Sequence, residues 1–183
     1  MEQSEDSDIT LIRRIRAGQE SAFDELMGRY QRPVLNFAWR MLGDASEAED
    51  VAQEVFARVY HNLAGYESRA KFSTWLYALV RNACVDRLRW RRRHPTDSLE
   101  GQPEPAGGDG VAEQVGAREL GDQIAAAVAQ LPEDQRTAVL LSEYQGCSQA
   151  EIAAVMNCSE KSVESRLHRA RQALRKRLRH LLD

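Results

Sequence analysis

With 183 residues, 43% of them hydrophobic and 29% charged, the chain has enough apolar side chains for one or two small packed cores and too much charge for a membrane protein. No apolar run approaches the about 18 residues needed to cross a bilayer, and the acidic, polar start MEQSEDSD is unlike a secretory signal. The net charge of −3 hides a pattern: residues 69–93 carry 8 basic and 1 acidic side chain and residues 161–183 carry 8 and 2, while 2–67 carry 7 and 13 and 95–135 carry 1 and 9. Two separate basic patches in an acidic chain point to nucleic acid gripped at two places, with acidic faces left for other partners.

Gly and Pro are scarce outside one stretch, so the chain reads as mostly helical. Ser7 or Asp8 can cap a first short helix carrying Ile9, Ile12 and Ile15 and ended by Gly18. Ser21 starts a longer one, in which Phe23, Leu26, Met27, Tyr30, Val34, Leu35, Ala38, Met41 and Leu42 keep the three-and-four rhythm up to Gly43. Pro33 falls inside it and predicts a kink or break. Asp44 or Ser46 caps the next helix. Its buried face is Ala48, Val51, Ala52, Val55, Phe56, Val59 and Leu63. Asp50, Gln53, Glu54, Ala57 and His61 lie opposite, as a plain solvated face or as a docking face for a basic partner; periodicity alone favours the plain reading.

Gly65–Ala70 breaks the pattern and reads as a loop into Lys71–Arg93, KFSTWLYALVRNACVDRLRWRRR. Ser73 or Thr74 can cap this helix. Leu76, Val80, Cys84 and Leu88 form its apolar stripe, while Trp75, Asn82, Asp86, Arg89 and Arg93 fall on the other side. A ring stacks on an unpaired base, amides read base edges and guanidiniums hold phosphates. A loop beside a stacking Trp suits a pocket for a flipped base. From His94 to about Val115 periodicity vanishes in an acidic stretch rich in Pro and Gly, a flexible linker and domain boundary.

A second helical block follows. Residues 117–130 form a helix stopped at Leu131-Pro132, and Pro132 can open the next, which carries Ala138, Val139, Leu141 and Tyr144 and ends at Gly146. Ser148 caps a short helix with Ile152, Ala153 and Met156 inside; Asn157-Cys158 makes a tight turn; Ser159 caps a last helix with Val163, Leu167, Ala170, Leu174 and Leu178 inside. Lys161, Ser165, His168, Arg169 and Gln172 form the opposite face. Two short helices joined by a three- to four-residue turn, the second polar and basic, describe a helix-turn-helix. Cys84, Cys147 and Cys158 are isolated and read as small buried residues in a reducing compartment; the four histidines show no ligand pairing.

Three motifs, Asp44–Tyr60 (DASEAEDVAQEVFARVY), Phe72–Arg87 (FSTWLYALVRNACVDR) and Leu131–Leu174, in this order and across an acidic linker, resemble the extracytoplasmic-function (ECF) group of bacterial sigma factors. The resemblance implies an all-α chain of two small helical domains: a sigma-two-like bundle over 1–93, a flexible acidic linker over 94–116 and a sigma-four-like helix-turn-helix domain over 117–183. It implies a promoter-recognition subunit without an active site, cofactor or metal, acting in the cytoplasm on a stress- or envelope-related regulon. Its partners would be promoter DNA, core RNA polymerase (the clamp helices of the beta-prime subunit and the flap of the beta subunit) and an anti-sigma factor, with no membrane insertion and no obligatory homo-oligomer.

By the same resemblance, Asp50, Gln53, Glu54 and Ala57 match the polymerase-binding surface. Arg69, Lys71, Phe72, Ser73, Trp75, Asn82, Asp86, Arg89 and Arg93 match the part that opens and reads the −10 element. Ser159, Lys161, Ser162, Glu164, Ser165, His168, Arg169 and Gln172 match the −35 reader. Many members carry Lys or Arg where this chain has Glu164, a carboxylate able to accept from cytosine N4 or to pair with His168 or Arg171. The −35 sequence is therefore expected to differ from that of relatives, and Asp86 has the same consequence for the −10 element. Two other readings compete: a dimeric repressor using the helix-turn-helix alone, which would not need a second basic helix, and a helical nuclease built on Glu47, Glu49, Asp50 and Glu54.

Overall fold

A computed structural model of the protein describes residues 2–66, 70–95 and 113–181. Among them it is all helical: α1 (Glu2–Arg16), α2 (Ser21–Leu42), α3 (Ala45–Asn62), a 3-10 turn at Leu63–Gly65, α4 (Phe72–Arg93), α5 (Glu113–Ala129), α6 (Glu133–Val139), a π-helical stretch at Leu140–Tyr144, α7 (Gln149–Met156) and α8 (Glu160–Arg177), with a 3-10 turn at Arg179–Leu181. Residues 96–112, the heart of the expected linker, lie outside the described part. Helix α5 begins four residues inside the stretch expected to be linker.

The first block packs α1 and α3 on α2, and α4 across both α2 and α3. Leu26, Val34, Phe37, Met41, Val51, Val55, Val59, Leu76 and Val80 are completely enclosed, the faces that the three-and-four spacing selects. Where a local rule suffices, the ends form as expected. Gly43 takes a left-handed conformation (φ 72°) and donates to the Trp39 carbonyl at 2.7 Å, and Asp44 accepts from the Glu47 amide at 2.9 Å.

Three expectations fail here. Asp8 is no cap: it sits inside α1, 4% exposed, accepting from Tyr30 and, at 3.2 Å, from Arg29 of α2. Helix α2 runs through Pro33 without a break, because Val34, Phe37 and Ala38 beyond it are locked into the core. Neither Ser73 nor Thr74 caps α4, which starts at Phe72; that ring is 2% exposed and edge-on to Tyr30 and Tyr66, so core packing sets the helix start.

In the second block α6, α7 and α8 enclose Ala138, Leu140, Leu141, Ile152, Val163, Leu167 and Ala170. Pro132 serves as the N-cap rather than as the first helical residue. Ser148 and Glu151 form a reciprocal capping box on α7, and Ser159 caps α8. Asn157, at φ 49°, makes the left-handed turn between them. Tyr144 is 42% exposed, and its ring receives the Arg40 guanidinium of α2 at 4.1 Å. The two blocks touch. Helix α7 lies on α4, and one apolar cluster runs through both.

Candidate nucleic-acid interface

The first surface is the polar face of α4. Asn82, Asp86, Arg89 and Arg93 are exposed along one side. Asn82 accepts from Arg81 at 3.2 Å, and Asp86 pairs with Arg89 at 3.6 Å, four exposed groups that leave base-edge and phosphate chemistry open to solvent. Lys71 pairs with Glu151 at 3.3 Å, and Ser73 lines a cavity of about 240 Å³ between the blocks. Arg69 lies outside the described residues.

Trp75 does not stand out on this face as the periodicity suggests. It is half-buried, its ring 5.3 Å from Tyr66 and 5.9 Å from Phe72. Phe72 is core. The exposed tryptophan of α4 is Trp90, 40% exposed, with His94 stacked on it at 4.8 Å. Its place among five arginines was a visible signal that the expected site left unused. The end of α4 is fixed by Arg91, whose guanidinium bonds Glu47 and, at 2.9 Å, the Leu42 carbonyl. Tyr77 and Arg81 were missed as well. Tyr77 and Arg81, four apart on α4, face the other block: Tyr77 donates to Gln145 and Arg81 pairs with Asp134 at 3.5 Å. Burial pushes the Tyr77 hydroxyl well above its ordinary pKa, so it remains a donor.

The second surface is the outer face of α8. Lys161, Glu164, His168, Arg169 and Gln172 are exposed, Ser162 and Ser165 half-exposed, all opposite the buried Val163, Leu167 and Ala170. Ser159 spends its hydroxyl on the Ser162 amide at 3.3 Å. Glu164 takes neither neighbour: His168 and Gln172 bond each other at 2.9 Å, and Arg171 pairs with Glu143 at 3.0 Å. Arg166 orients the helix from behind through Asp134 at 3.0 Å and the Cys158 sulfur at 2.9 Å.

The third surface is the acidic face of α3, where Asp50, Gln53, Glu54 and Ala57 are all exposed. Among the described residues Glu54 pairs with Arg58 on its own helix, at 2.6 Å, and the face continues to Tyr60, 59% exposed and edge-on to Phe23. Glu47 turns away to Arg91, so the acids do not converge, and no His, Cys, Asp and Glu group able to hold a metal forms among the described residues.

Two basic helices on separate helical blocks, one of them the second helix of a helix-turn-helix, define a protein that grips nucleic acid at two places. Residues 26–94 match the model of sigma-70 region 2, and residues 121–174 match that of sigma-70 region 4. The chain is 39% identical to RNA polymerase sigma-H factor of Pseudomonas aeruginosa over 98% of this chain and 97% of that one. It is 34% identical to the ECF sigma factor SigW of Bacillus subtilis (93% and 96% covered) and 31% identical to the ECF sigma-E factor of Escherichia coli (96% of each). Its fold resembles CnrH in complex with the cytosolic domain of CnrY (TM-score 0.73, 26% identity, 95% and 98% covered). It also resembles RpoE of Bartonella quintana bound to the anti-sigma factor NepR (TM-score 0.70, 23% identity, 86% and 96% covered), a likeness of fold alone.

The chain belongs to the ECF group of the sigma-70 family of RNA polymerase sigma factors. It is an initiation factor that binds core RNA polymerase and recognises −35 and −10 promoter elements. No described helix is long and apolar enough to cross a membrane.

Proposed function

We propose that the three surfaces divide the work of initiation. Residues 1–93 dock on the polymerase and handle the −10 element, 94–116 tether the domains, and 117–183 read the −35 element. Asp50, Gln53, Glu54 and Ala57 meet the clamp helices of the beta-prime subunit. Asn82 and Asp86 read −10 bases while Arg89 and Arg93 hold phosphates. Lys161, Glu164, His168, Arg169 and Gln172 enter the −35 major groove. The protein works in the cytoplasm, beside the polymerase, on a stress- or envelope-related regulon. An anti-sigma factor restrains it, in keeping with the structural relative CnrH, solved in complex with the cytosolic domain of a second protein, CnrY. It is a recognition subunit and leaves catalysis to the polymerase.

The observation that carries this reading is the segregation of charge by element: an exposed carboxylate face on α3, and exposed amide, hydroxyl and guanidinium faces on α4 and α8. Asp50→Ala with Glu54→Lys is expected to weaken co-elution with core polymerase, the reversed charge costing more than the neutralised one because like charges then meet across the interface. Unchanged co-elution of the folded double variant removes the docking assignment.

A further inference from the structure

Asn82, Asp86, Trp90 and His94 step by four and are all exposed, so they form one row along α4 and onto its C-cap. Arg89 and Arg93 make the neighbouring row, also exposed. Asn82 and Asp86 are read above as base contacts, and the two arginines as phosphate contacts. Trp90 and His94 extend the first row by an aromatic pair that has no task yet.

Packing does not explain Trp90. Trp39 and Trp75 lean on the core, and so does Leu88, two residues before Trp90. At about 100° per residue Trp90 lies about 200° round the helix from Leu88, and it is 40% exposed. An indole left in water forgoes much of the burial that a ring this size can contribute. The ring is nevertheless held. His94 stacks on it, with centroids 4.8 Å apart and planes at 25°. The His94 amide and its ring Nδ1 both donate to the Trp90 carbonyl at 3.0 Å. These bonds close the helix C-terminus and fix the imidazole beside the indole. A flat surface pinned in this way loses little side-chain freedom when something binds to it.

Charge selects the ligand. Five of the seven residues from Arg87 to Arg93 are arginine. Arg91 is spent on Glu47 and the Leu42 carbonyl, while Arg89 and Arg93 flank the aromatic pair in solvent. Guanidiniums suit a polyanion, and a flat π surface suits a base of any identity, because every base has a π-face. A base offers that face fully only where the strands are separated.

We propose that the Trp90–His94 pair is a stacking platform for one unpaired nucleobase of the −10 strand. Trp90 makes the stack and His94 positions it. This rests on the reading of α4 as the −10 helix. Trp90 lies eight residues beyond Asn82, about 12 Å at 1.5 Å per residue. That distance is about three or four nucleotides at about 3.4 Å each, so the stacked base differs from the one that Asn82 reads. The platform adds affinity for separated strands without choosing among bases.

The test uses holoenzyme reconstituted from the full chain and core RNA polymerase. Its probe is an end-labelled single-stranded oligonucleotide carrying the −10 element that the holoenzyme selects, read by anisotropy. A probe set replaces one nucleotide at a time by an abasic one. Trp90→Ala is expected to weaken binding of the intact probe about tenfold, within the range of one base–aromatic stack, and Trp90→Phe to lose much less. The loss should vanish on the one probe that lacks the stacked base, as a double-mutant cycle requires. Asn82→Ala should behave likewise at a different site, about three or four nucleotides away. His94→Ala should lose about threefold at the Trp90 site, and His94→Phe should restore most of it. Parent-like binding by Trp90→Ala overturns the platform, as does a loss equal on every abasic probe. A folded Trp90→Ala chain that no longer co-elutes with core polymerase also overturns it and makes the indole a protein contact. In each of these cases the reading of α4 survives if Asn82→Ala keeps its own abasic site; if that site is absent too, the reading falls with the platform.

Discussion

At the scale of single residues, burial decides which side chains are chemically available. Cys84 is fully enclosed in the first core, and burial pushes its thiol up to about 12; burial, with the Glu151 carboxylate nearby, pushes Cys147 up to about 11. The thiolate is the reactive form. At pH 8 a thiol titrating near 11 is about one part in a thousand ionised. Iodoacetamide at pH 8 is therefore expected to spare Cys84 and to modify Cys147 only slowly. Cys147 lines the cavity between the blocks, so its rate should rise as denaturant loosens their packing. Rapid modification of Cys147 in the closed parent would contradict the packing described. The same scale separates two tryptophans that periodicity confuses. Trp75 leans on Tyr66 and Phe72, whereas Trp90 is exposed beside Arg89, Arg92 and Arg93.

At the scale of elements, local signals were legible and distant ones were not. Gly43, Asp44, Ser148 and Ser159 close or open their helices as the sequence predicts because each bonds a group three or four residues away. Asp8 looked like a cap because its partners, Arg29 and Tyr30, are 21 and 22 residues distant. Tyr77 and Arg81 were not singled out because their partners, Gln145 and Asp134, are more than fifty residues away. Pro33 predicted a kink or break, and α2 continues through it with Val34, Phe37 and Ala38 enclosed beyond it.

These assignments separate in stability. Asp44→Ala is expected to cost about 1 kcal/mol as a lost cap. Asp8→Ala should cost about 1–3 kcal/mol, since it strips the Tyr30 hydroxyl and the Arg29 guanidinium of a buried acceptor. Trp75→Ala should lower the melting midpoint by several degrees. Chemical denaturation and calorimetry of the three variants check this; an Asp8→Ala variant as stable as the parent would place that carboxylate in solvent.

At the scale of the whole molecule, the family and the three surfaces were visible in motif order and charge, while the closed packing of the two blocks was not. Nothing in the periodicity of α4 says that Lys71 at its N-cap, Arg81 and Arg92 meet Glu151, Asp134 and Glu133 of the other block. Closure also bears on pH. Glu151, held below the ordinary carboxylate value of 4.5, contributes to the folded, closed state fully above that value, and the contribution is lost as pH falls through its lowered one. In the structure the acidic face of α3 stays exposed while the two helices proposed as promoter readers, α4 and α8, sit on blocks that pack together.

Run-off transcription with purified core RNA polymerase, from a promoter library randomised at both elements, tests the central claim that α4 and α8 are those readers. The parent should select one −35 and −10 pair. Asn82→Ala should relax choice at one −10 position and leave the −35 preference intact. Arg169→Ala should weaken −35 dependence by about 1–3 kcal/mol if it grips a guanine, with −10 choice unchanged. A chain that yields no selected transcript with core polymerase, yet binds duplex DNA alone, would contradict the account.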